Sequence, residues 1–388
     1  MAKSKTETLG QPDWILLLAV AGLIAVGLMM VYSSTFDMGY RGFDDTAYFF
    51  KRQVRWLVIG TVAMYIASRM HYRHWMKLSI PIMALALLLL ITLVVSGKGR
   101  LLLEKSVSPV ELAKLAVIVY IGHWLASKGE QLRRLPYGLL PFTIIVGVVA
   151  GLVMAQPDIS EAIVIVLVSV AMFFLAGADL SQFAIGIVGG TTAFTIVIKN
   201  IGTAMERLQP FFTYWKDPLA SSNDQLRQGL IALGSGGLFG LGPGSGRMKY
   251  RWLPTPHTDS VFAIVGEELG LVGCLTLIGL FALLAYRGFR TAGRASDAFG
   301  RLLALGITCW ITFQAWINMA VVTGTIPYTG ITLPFISVGG SSLVTCMVGI
   351  GILLNISRAA SSPSSTSEAR DASQRQDRAS KTETGTGT

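Results

Sequence analysis

Two charged side chains lie three residues apart in an otherwise apolar stretch of this 388-residue chain. They are Glu111 and Lys114 in the run SPVELAKLA, and a helix would place both on one face. A charge at the centre of a bilayer costs about 2.5–3.5 kcal/mol, so function is the default explanation for such residues. The pair could serve a ligand, or it could be an internal ion pair in which each charge only neutralises the other.

A second group of ionisable residues lies in the run TPHTDSVFAIVGEELG at 255–270. Thr258 is the predicted N-cap of a helix, Asp259 falls in its first turn, and Glu267 lies eight residues on, about 12 Å deeper. The helix dipole would stabilise an ionised first-turn carboxylate and make Asp259 an ordinary cap. Partial desolvation at the membrane surface would instead make it basic enough for a general base, so both explanations stay open. His257, two residues earlier, is the one histidine that joins this group.

A glycine-rich segment at 229–246 (GLIALGSGGLFGLGPGSG) precedes this run and contains eight glycines in eighteen residues. Such a backbone can hold phosphate through its amides, but the absence of GK[ST] excludes a nucleotide P-loop. Close packing of small residues is the alternative explanation. Arg247, Lys249 and Arg251 follow directly and indicate an anionic ligand, because basic residues are unusual on the outer side of a membrane.

Composition indicates that these residues belong to a membrane protein. The chain is 52% hydrophobic and 14% charged, with a mean hydropathy of +0.58, which excludes a soluble globular enzyme. The net charge of +10 does not indicate nucleic acid, because a basic binding surface needs exposed area that this composition does not leave. The three cysteines fall in apolar runs without a CxxC pair, which argues against a disulfide framework or a zinc site.

Uncharged runs of about 20 residues predict membrane-spanning helices, and we expect an all-α polytopic protein with ten of them. The expected spans are 14–36, 53–69, 78–97, 109–127, 135–157, 162–178, 180–198 and 259–286, with two more on either side of a break at 323–332 in the uncharged run 302–357. Lys and Arg accumulate in cytoplasmic loops, which places both termini in the cytoplasm. Residues 1–12 form the cytoplasmic N-terminus and 13–358 the membrane domain, while the polar tail 359–388 is predicted to be disordered. A large extracytoplasmic loop, 200–257, joins the seventh and eighth spans and is too small to be an independent catalytic domain.

Five runs of the sequence together resemble the family of shape, elongation, division and sporulation (SEDS) proteins. They are VELAKLA (110–116), QPD (156–158), IALGSGGLFGLG (231–242), LPTPHTDSVFAIVGEELGLVG (253–273) and TGITLPFISVGGSSL (329–343). The resemblance extends over residues 12–358 and covers all the predicted spans. The segments GLGPGSGRMKYRWLP and VVTGTIPYTGITLPF resemble the division branch of the family, FtsW, more than the elongation branch, RodA.

The resemblance implies a peptidoglycan glycosyltransferase that polymerises lipid II at the outer face of the bacterial cytoplasmic membrane. Its partners would be a class B penicillin-binding protein, which crosslinks the strand, and other divisome membrane proteins at the division septum. No nucleic acid and no tightly bound cofactor are implied, and a divalent cation, Mg²⁺ or Mn²⁺, is left open. The alternatives are an elongation polymerase, a lipid II flippase, an ion-coupled transporter and a scaffold that only recruits the penicillin-binding protein.

The family's catalytic aspartate falls on Asp259, which would accept the proton of the acceptor hydroxyl. Lys114 and nearby arginines would stabilise the leaving diphosphate. The predicted substrate-binding residues are Arg52, Arg100, Glu111, Lys114, Arg207, Lys249, His257, Thr258, Glu267, Ser337, Gly339, Gly340 and Ser341. The chain departs from the family pattern at Ser108, Glu161, Thr255 and Val338, which puts the finer hydrogen bonding of the site in doubt and not the reaction.

Overall fold

The computed structural model describes residues 10–96, 108–156, 158–200, 211–215, 224–250, 252–254 and 256–360, and all regular structure within them is helical. Two predicted site residues, Arg100 and Arg207, lie outside the described residues, as does the predicted tail from residue 361 onward. The helices are α1 (Trp14–Phe43), α2 (Tyr48–Arg69), α3 (Arg73–Ser96), α4 (Pro109–Lys128), α5 (Leu139–Met154), α6 (Ile159–Leu175), α7 (Leu180–Asn200), α8 (Asp224–Ser235), α9 (Val261–Arg294), α10 (Ala298–Val322) and α11 (Gly340–Ala360).

Helix length and apolarity confirm a polytopic membrane protein. In the described part of the chain, six helices are long and apolar enough to cross a membrane, namely α1, α3, α4, α9, α10 and α11. The apolar helices α5 and α6 are shorter, with 16 and 17 residues. The total of ten spans stays a prediction.

Helix α10 lies at the centre of the fold and packs against α4, α6 and α9. Its side chains are buried around most of its circumference, with Trp310 fully enclosed. A second close contact joins α2 to α11, where a Cβ at Gly351 would lie only 2.4 Å from the carbonyl oxygen of Met64. Small residues let helices approach closely, and here they bring the first turns of α2 next to the start of α11.

The glycine-rich segment packs its backbone directly onto α9. Gly270 breaks α9 with a φ of 67°, and the amides of Leu241 and Gly242 donate to the carbonyl oxygens of Glu267 and Glu268 at 3.0 Å each. A Cβ at Gly240 would lie 2.2 Å from the Glu268 carbonyl oxygen, so only glycine allows this approach. The glycines therefore serve close packing, which was one of the two explanations that the sequence left open.

The amides that could have held a phosphate bind carboxylates of α9 instead. The Glu267 carboxylate accepts hydrogen bonds from the backbone amides of Arg247 (2.6 Å) and Met248 (3.2 Å), and Gly244 N donates to Glu268 at 2.9 Å. Glu267 is almost wholly buried. The sequence predicts that Glu267 contacts substrate, and the structure places its carboxylate against the glycine-rich loop.

Lys249 is likewise held inside the protein. Its ammonium group donates to the Glu268 carboxylate at 2.8 Å, to the Ser33 hydroxyl at 2.8 Å and to the Gly244 carbonyl at 2.7 Å. An ammonium group has three hydrogens, and these three bonds use all of them. The sequence predicts that Lys249 binds an anionic ligand, and in the structure its anion is Glu268, buried at the kink of α9.

Removing the acid of this pair should destabilise the fold. Replacing Glu268 by Gln leaves a buried ammonium group without its carboxylate, which typically costs about 3–5 kcal/mol. Thermal unfolding in detergent should therefore show a large drop in the midpoint. The exposed pair Arg41–Asp37 is a matched control, because Asp37→Asn should cost under about 1 kcal/mol. Equal midpoints for the two variants would refute a structural role for the Lys249–Glu268 pair.

Candidate active site

The segment before α9 carries Asp259 on an irregular turn. The helix begins at Val261 with Ser260 as its N-cap, so Thr258 is not the cap and Asp259 is not in the first turn, which corrects both predictions. The reason is that the preceding carbonyl groups are bound by other parts of the chain. Val338 N donates to the His257 carbonyl at 2.9 Å, the Ser337 hydroxyl donates to the Thr258 carbonyl, and the Asn318 amide donates to the Asp259 carbonyl at 2.8 Å.

This geometry bears on the two explanations for Asp259. Because Asp259 precedes the N-cap Ser260, it neither caps the helix nor lies in its first turn. The Asp259 side chain is partly exposed, and its carboxylate lies beside Gly330 in the connection between α10 and α11. A Cβ at Gly330 would lie 3.3 Å from Asp259 Oδ2, and Gly330 has a φ of 71°. The arrangement is that of a partly desolvated carboxylate on a fixed turn.

Replacing Gly330 by Ala should lower turnover. The added methyl group would press on the Asp259 carboxylate, and a positive φ costs a side chain about 1–2 kcal/mol. A displacement of 1 Å can cost about 100-fold in rate, so we expect a loss on the order of tenfold from a smaller shift. Gly177→Ala is the control, since Gly177 has a φ of 93° with nothing within 4 Å of the added group. Equal turnover in the two variants would mean that Gly330 does not shape the site.

A buried ion cluster lies between α4, α6 and α10. Lys114 Nζ is 2.8 Å from Glu111 Oε2 and 2.9 Å from Glu161 Oε2, and it donates to Gln314 Oε1 at 2.9 Å. The Lys114 side chain is also 5.4 Å from the centre of the Trp310 ring. The spacing of three residues did predict that Glu111 and Lys114 share a helix face, but the sequence did not reveal that Glu161 completes the cluster.

The structure places Lys114, which the sequence predicts to stabilise a diphosphate, inside the membrane domain. Lys114 is only 2% exposed; its ammonium group forms ion pairs with Glu111 and Glu161 and donates a hydrogen bond to Gln314. The cluster is an internal structure of the membrane domain, as in the second of the two explanations for the Glu111–Lys114 pair.

Accessible cations lie on α2 and in the loop before α9. Arg52, in the first turns of α2, is partly exposed, and its neighbour Gln53 donates to the Ser337 carbonyl at 3.5 Å. Arg247 is exposed at the end of the glycine-rich segment. Because Ser337 also binds the Thr258 carbonyl, the start of α2 lies close to the turn that carries Asp259.

The remaining predicted residues hold neighbouring elements together. Ser341 Oγ accepts a hydrogen bond from the Ser108 amide at 3.1 Å and so fixes the start of α4. A Cβ at Gly340 would lie 2.4 Å from the Trp56 ring, whereas one at Gly339 would make only an ordinary contact of 3.6 Å. The run before α11 thus joins α2 and α4 beside the site.

His257 contributes an uncharged ring to the site. Burial lowers the pKa of His257 below its usual value, so the imidazole is neutral at pH 7. Its ring lies 6.3 Å from that of Phe49 on α2. A neutral His257 cannot serve as a countercharge to Asp259.

The described residues do not fit a resident divalent cation. Among them, no three His, Cys, Asp or Glu side chains converge in a way that could hold a metal. The two carboxylates that do converge, Glu111 and Glu161, share Lys114 between them, and an ammonium group occupies the place that a metal would need. We assign no step of the reaction to a metal.

Three residues of this region were missed in the sequence. Glu161 was noted only as a departure from the family pattern, although a charge inside an apolar run is itself a signal. Gln314 and Asn318 gave no charge signal because they are neutral amides in the uncharged run 302–357. Their spacing of four residues, continued from Trp310, places them on one helix face and could have revealed them.

Comparison with known proteins extends over nearly the whole chain. Residues 13–362 match the family of cell cycle proteins that comprises FtsW, RodA and SpoVE. The chain is 37% identical over 365 residues to the probable peptidoglycan glycosyltransferase FtsW of Trichlorobacter lovleyi, covering 91% of this chain and 95% of that protein. It is also 37% identical over 357 residues to stage V sporulation protein E of Bacillus subtilis, covering 89% of this chain and 97% of that protein.

Solved structures also match nearly the whole chain. A chain of a peptidoglycan synthase complex that coordinates polymerization and crosslinking superposes with a TM-score of 0.70 at 25% identity, covering 90% of this chain and 98% of that one. The rod shape determining protein RodA of Thermus thermophilus superposes with a TM-score of 0.64 at 26% identity, covering 89% and 97%. The likeness therefore concerns the whole membrane domain and not one motif.

Proposed function

The chain belongs to the FtsW, RodA and SpoVE family of cell cycle proteins, and from this premise we propose that it is a peptidoglycan glycosyltransferase. It polymerises lipid II into glycan strands at the outer face of the cytoplasmic membrane during division. The observation that carries the proposal is the fixed turn at Asp259, a partly exposed carboxylate whose backbone is bound by α10 and by the run before α11. The relatives named FtsW favour the division role over elongation.

The reaction that this geometry supports needs one base. Asp259 accepts the proton from the 4-hydroxyl of the acceptor GlcNAc while the hydroxyl oxygen attacks the anomeric carbon of the donor. The bond from that carbon to the diphosphate breaks, and undecaprenyl diphosphate leaves with the bonding electrons. Because the leaving group is already an anion, it needs no proton, and the carboxylate pair of a glycosidase is unnecessary.

The leaving diphosphate is stabilised by cations at the outer ends of the helices. Arg52 and Arg247 take this role in our proposal, because both are accessible and Arg52 lies near the turn of Asp259. Guanidinium groups match phosphate oxygens in geometry and keep their charge at all relevant pH values. Lys114 supports the site from inside the fold, since it is buried and paired with Glu111 and Glu161.

Topology and partners follow from the same assignment. We propose ten spans with both termini in the cytoplasm and residues 200–257 on the outer side, as the distribution of basic residues indicates. The septum is the expected location. A class B penicillin-binding protein is the proposed partner, supported by the similarity to a chain of a synthase complex that coordinates polymerization and crosslinking.

Lipid II in sealed vesicles distinguishes a polymerase from a flippase or a transporter. The purified full chain, alone and with its class B partner, is reconstituted with fluorescent lipid II. We expect glycan strands to form at the face where 200–257 is exposed. Movement of lipid II across the bilayer without any glycan would contradict the proposal and support transport.

A further inference from the structure

Helix α10 carries a buried polar stripe within an apolar environment. Trp310, Gln314 and Asn318 follow one another at four-residue spacing, so they lie on one face of the helix. Gln314 and Asn318 are 0% and 1% exposed. Burying an amide without hydrogen bonds costs about 1–3 kcal/mol, so the bonds that these two amides make should be specific.

Gln314 connects the ion cluster to the connection between α10 and α11. Its Oε1 accepts hydrogen bonds from Lys114 Nζ at 2.9 Å and from Trp310 Nε1 at 2.8 Å. Its Nε2 donates to Thr332 O at 3.1 Å and to Thr332 Oγ1 at 3.3 Å. An amide side chain can accept two bonds and donate two, and Gln314 makes all four. Its orientation is therefore fixed from both ends.

Asn318 connects the same segment to the residue that carries the candidate base. Its Nδ2 donates to Ile331 O at 2.7 Å and to Asp259 O at 2.8 Å, which uses both amide hydrogens. A single nitrogen thus fixes the distance between the backbone of Asp259 and the backbone of Ile331. This distance decides where the Asp259 carboxylate lies relative to Gly330.

The segment 329–332 between these amides is held at a third point. Ser160, the neighbour of Glu161 at the start of α6, donates its hydroxyl hydrogen to the Thr329 carbonyl. The carbonyl oxygens of Thr329, Ile331 and Thr332 are therefore bound to α6 and α10, while Gly330 faces Asp259. The Lys114 cluster and the Asp259 turn are thus connected through the hydrogen bonds of Gln314 and Asn318 and the covalent backbone of residues 331–332 that joins them.

We propose that Gln314 and Asn318 are positioning residues for the glycosyl transfer, which act through the segment 329–332 and the backbone of Asp259. The inference rests on the proposed function and adds to it two residues that touch no substrate. Gln314 also accepts a hydrogen bond from Lys114, which it would not need if its amide served only to bind buried backbone groups. Because the two residues orient the base and do not bind lipid II, their loss should change kcat and leave KM unchanged.

Asn318→Ala tests the proposal against a matched variant, Asn355→Ala. Asn355 is likewise buried, at 0% exposed, and makes two hydrogen bonds. Its Nδ2 donates to Ser68 O at 3.0 Å, and its Oδ1 accepts from Tyr72 N at 2.8 Å. We expect similar losses of thermal stability in the full chain with its partner bound. Only Asn318→Ala should lower kcat for lipid II, by about 100-fold, the cost of a 1 Å misplacement.

A second pair of variants tests the proposed positioning role if Asn318→Ala does not fold. When its carboxyl group is ionised, Gln314→Glu keeps the oxygen that binds Lys114 and Trp310 but removes the donor to Thr332. Gln182→Glu is its control, because Gln182 is 1% exposed and donates to Arg133 O at 2.6 Å. We expect a lower kcat with unchanged KM in Gln314→Glu and wild-type kcat in Gln182→Glu.

The outcomes separate this inference from the function on which it rests. Wild-type kcat in folded Asn318→Ala or in folded Gln314→Glu overturns the inference and leaves the glycosyltransferase assignment standing. Equal kcat losses in a variant and its matched control also overturn it, because they would follow from stability alone. A folded wild-type protein that makes no glycan overturns both.

Discussion

Replacing Asp259 by Asn should reduce the polymerisation of lipid II to the background rate. General-base catalysis contributes about 10²–10⁴-fold, and an amide cannot accept the proton of the acceptor hydroxyl. The substitution keeps the size of the side chain and leaves the backbone carbonyl that Asn318 binds. We therefore expect an unchanged thermal midpoint, unchanged affinity for lipid II and normal binding of the penicillin-binding protein.

Asp45→Asn is the control for this variant. Asp45 is an exposed carboxylate in the connection between α1 and α2, where it pairs with Lys51 at 2.9 Å. An exposed pair contributes at most about 1 kcal/mol, and no step of the reaction involves it. Glycan synthesis by Asp259→Asn at the rate of Asp45→Asn would contradict the assignment of the base.

The second large effect should come from Lys114→Met. The change removes the cation that lies between Glu111 and Glu161, which are 6% and 8% exposed, and leaves two buried carboxylates close together. Breaking a buried ion pair from one side costs about 3–5 kcal/mol. Lys114→Met should therefore show a much lower unfolding midpoint, and it should also lose activity because the contact with Gln314 is gone.

Two further variants separate charge from position at this cluster. Glu161→Gln leaves one ammonium group with one carboxylate and should be far less damaging than Lys114→Met. Neutralising all three positions should restore much of the stability, since buried ion pairs can be replaced by neutral groups with little loss. Turnover should stay low in that triple variant. Full turnover with Met at 114 would contradict a role of the Lys114 charge in the reaction, whereas the scaffold alternative predicts normal cell division with Lys114→Met and no turnover in any variant.

Local patterns predicted the parts of this structure that depend on local physics. Uncharged runs marked the apolar helices, because the hydrocarbon thickness sets their length. The spacing of Glu111 and Lys114 predicted one helix face, because helix geometry depends only on separation along the chain. The start of α9 could not be predicted in this way. The groups that bind the carbonyls of His257, Thr258 and Asp259 come from Asn318, Ser337 and Val338, 59 to 81 residues away.

The loop before α9 shows that the type of a residue predicts its role less well than the residue it contacts. Lys249 was expected to bind a ligand because basic residues are unusual on the outer side. Its partner Glu268 lies nineteen residues on, and the kink at Gly270 is what brings the glycine-rich loop against that carboxylate. The chemistry expected of the loop, amides and an ammonium group around an anion, is present. The anions are Glu267 and Glu268 of the protein itself.

The most direct test of the proposed function measures the products formed by the purified wild-type chain with its class B partner and lipid II. The amounts of disaccharide incorporated into glycan and of undecaprenyl diphosphate released are determined together. We expect the release of one undecaprenyl diphosphate for each bond formed, and neither product above background with Asp259→Asn. The account would be contradicted if a folded wild-type protein formed no glycan, or if Asp259→Asn formed both products at the wild-type rate.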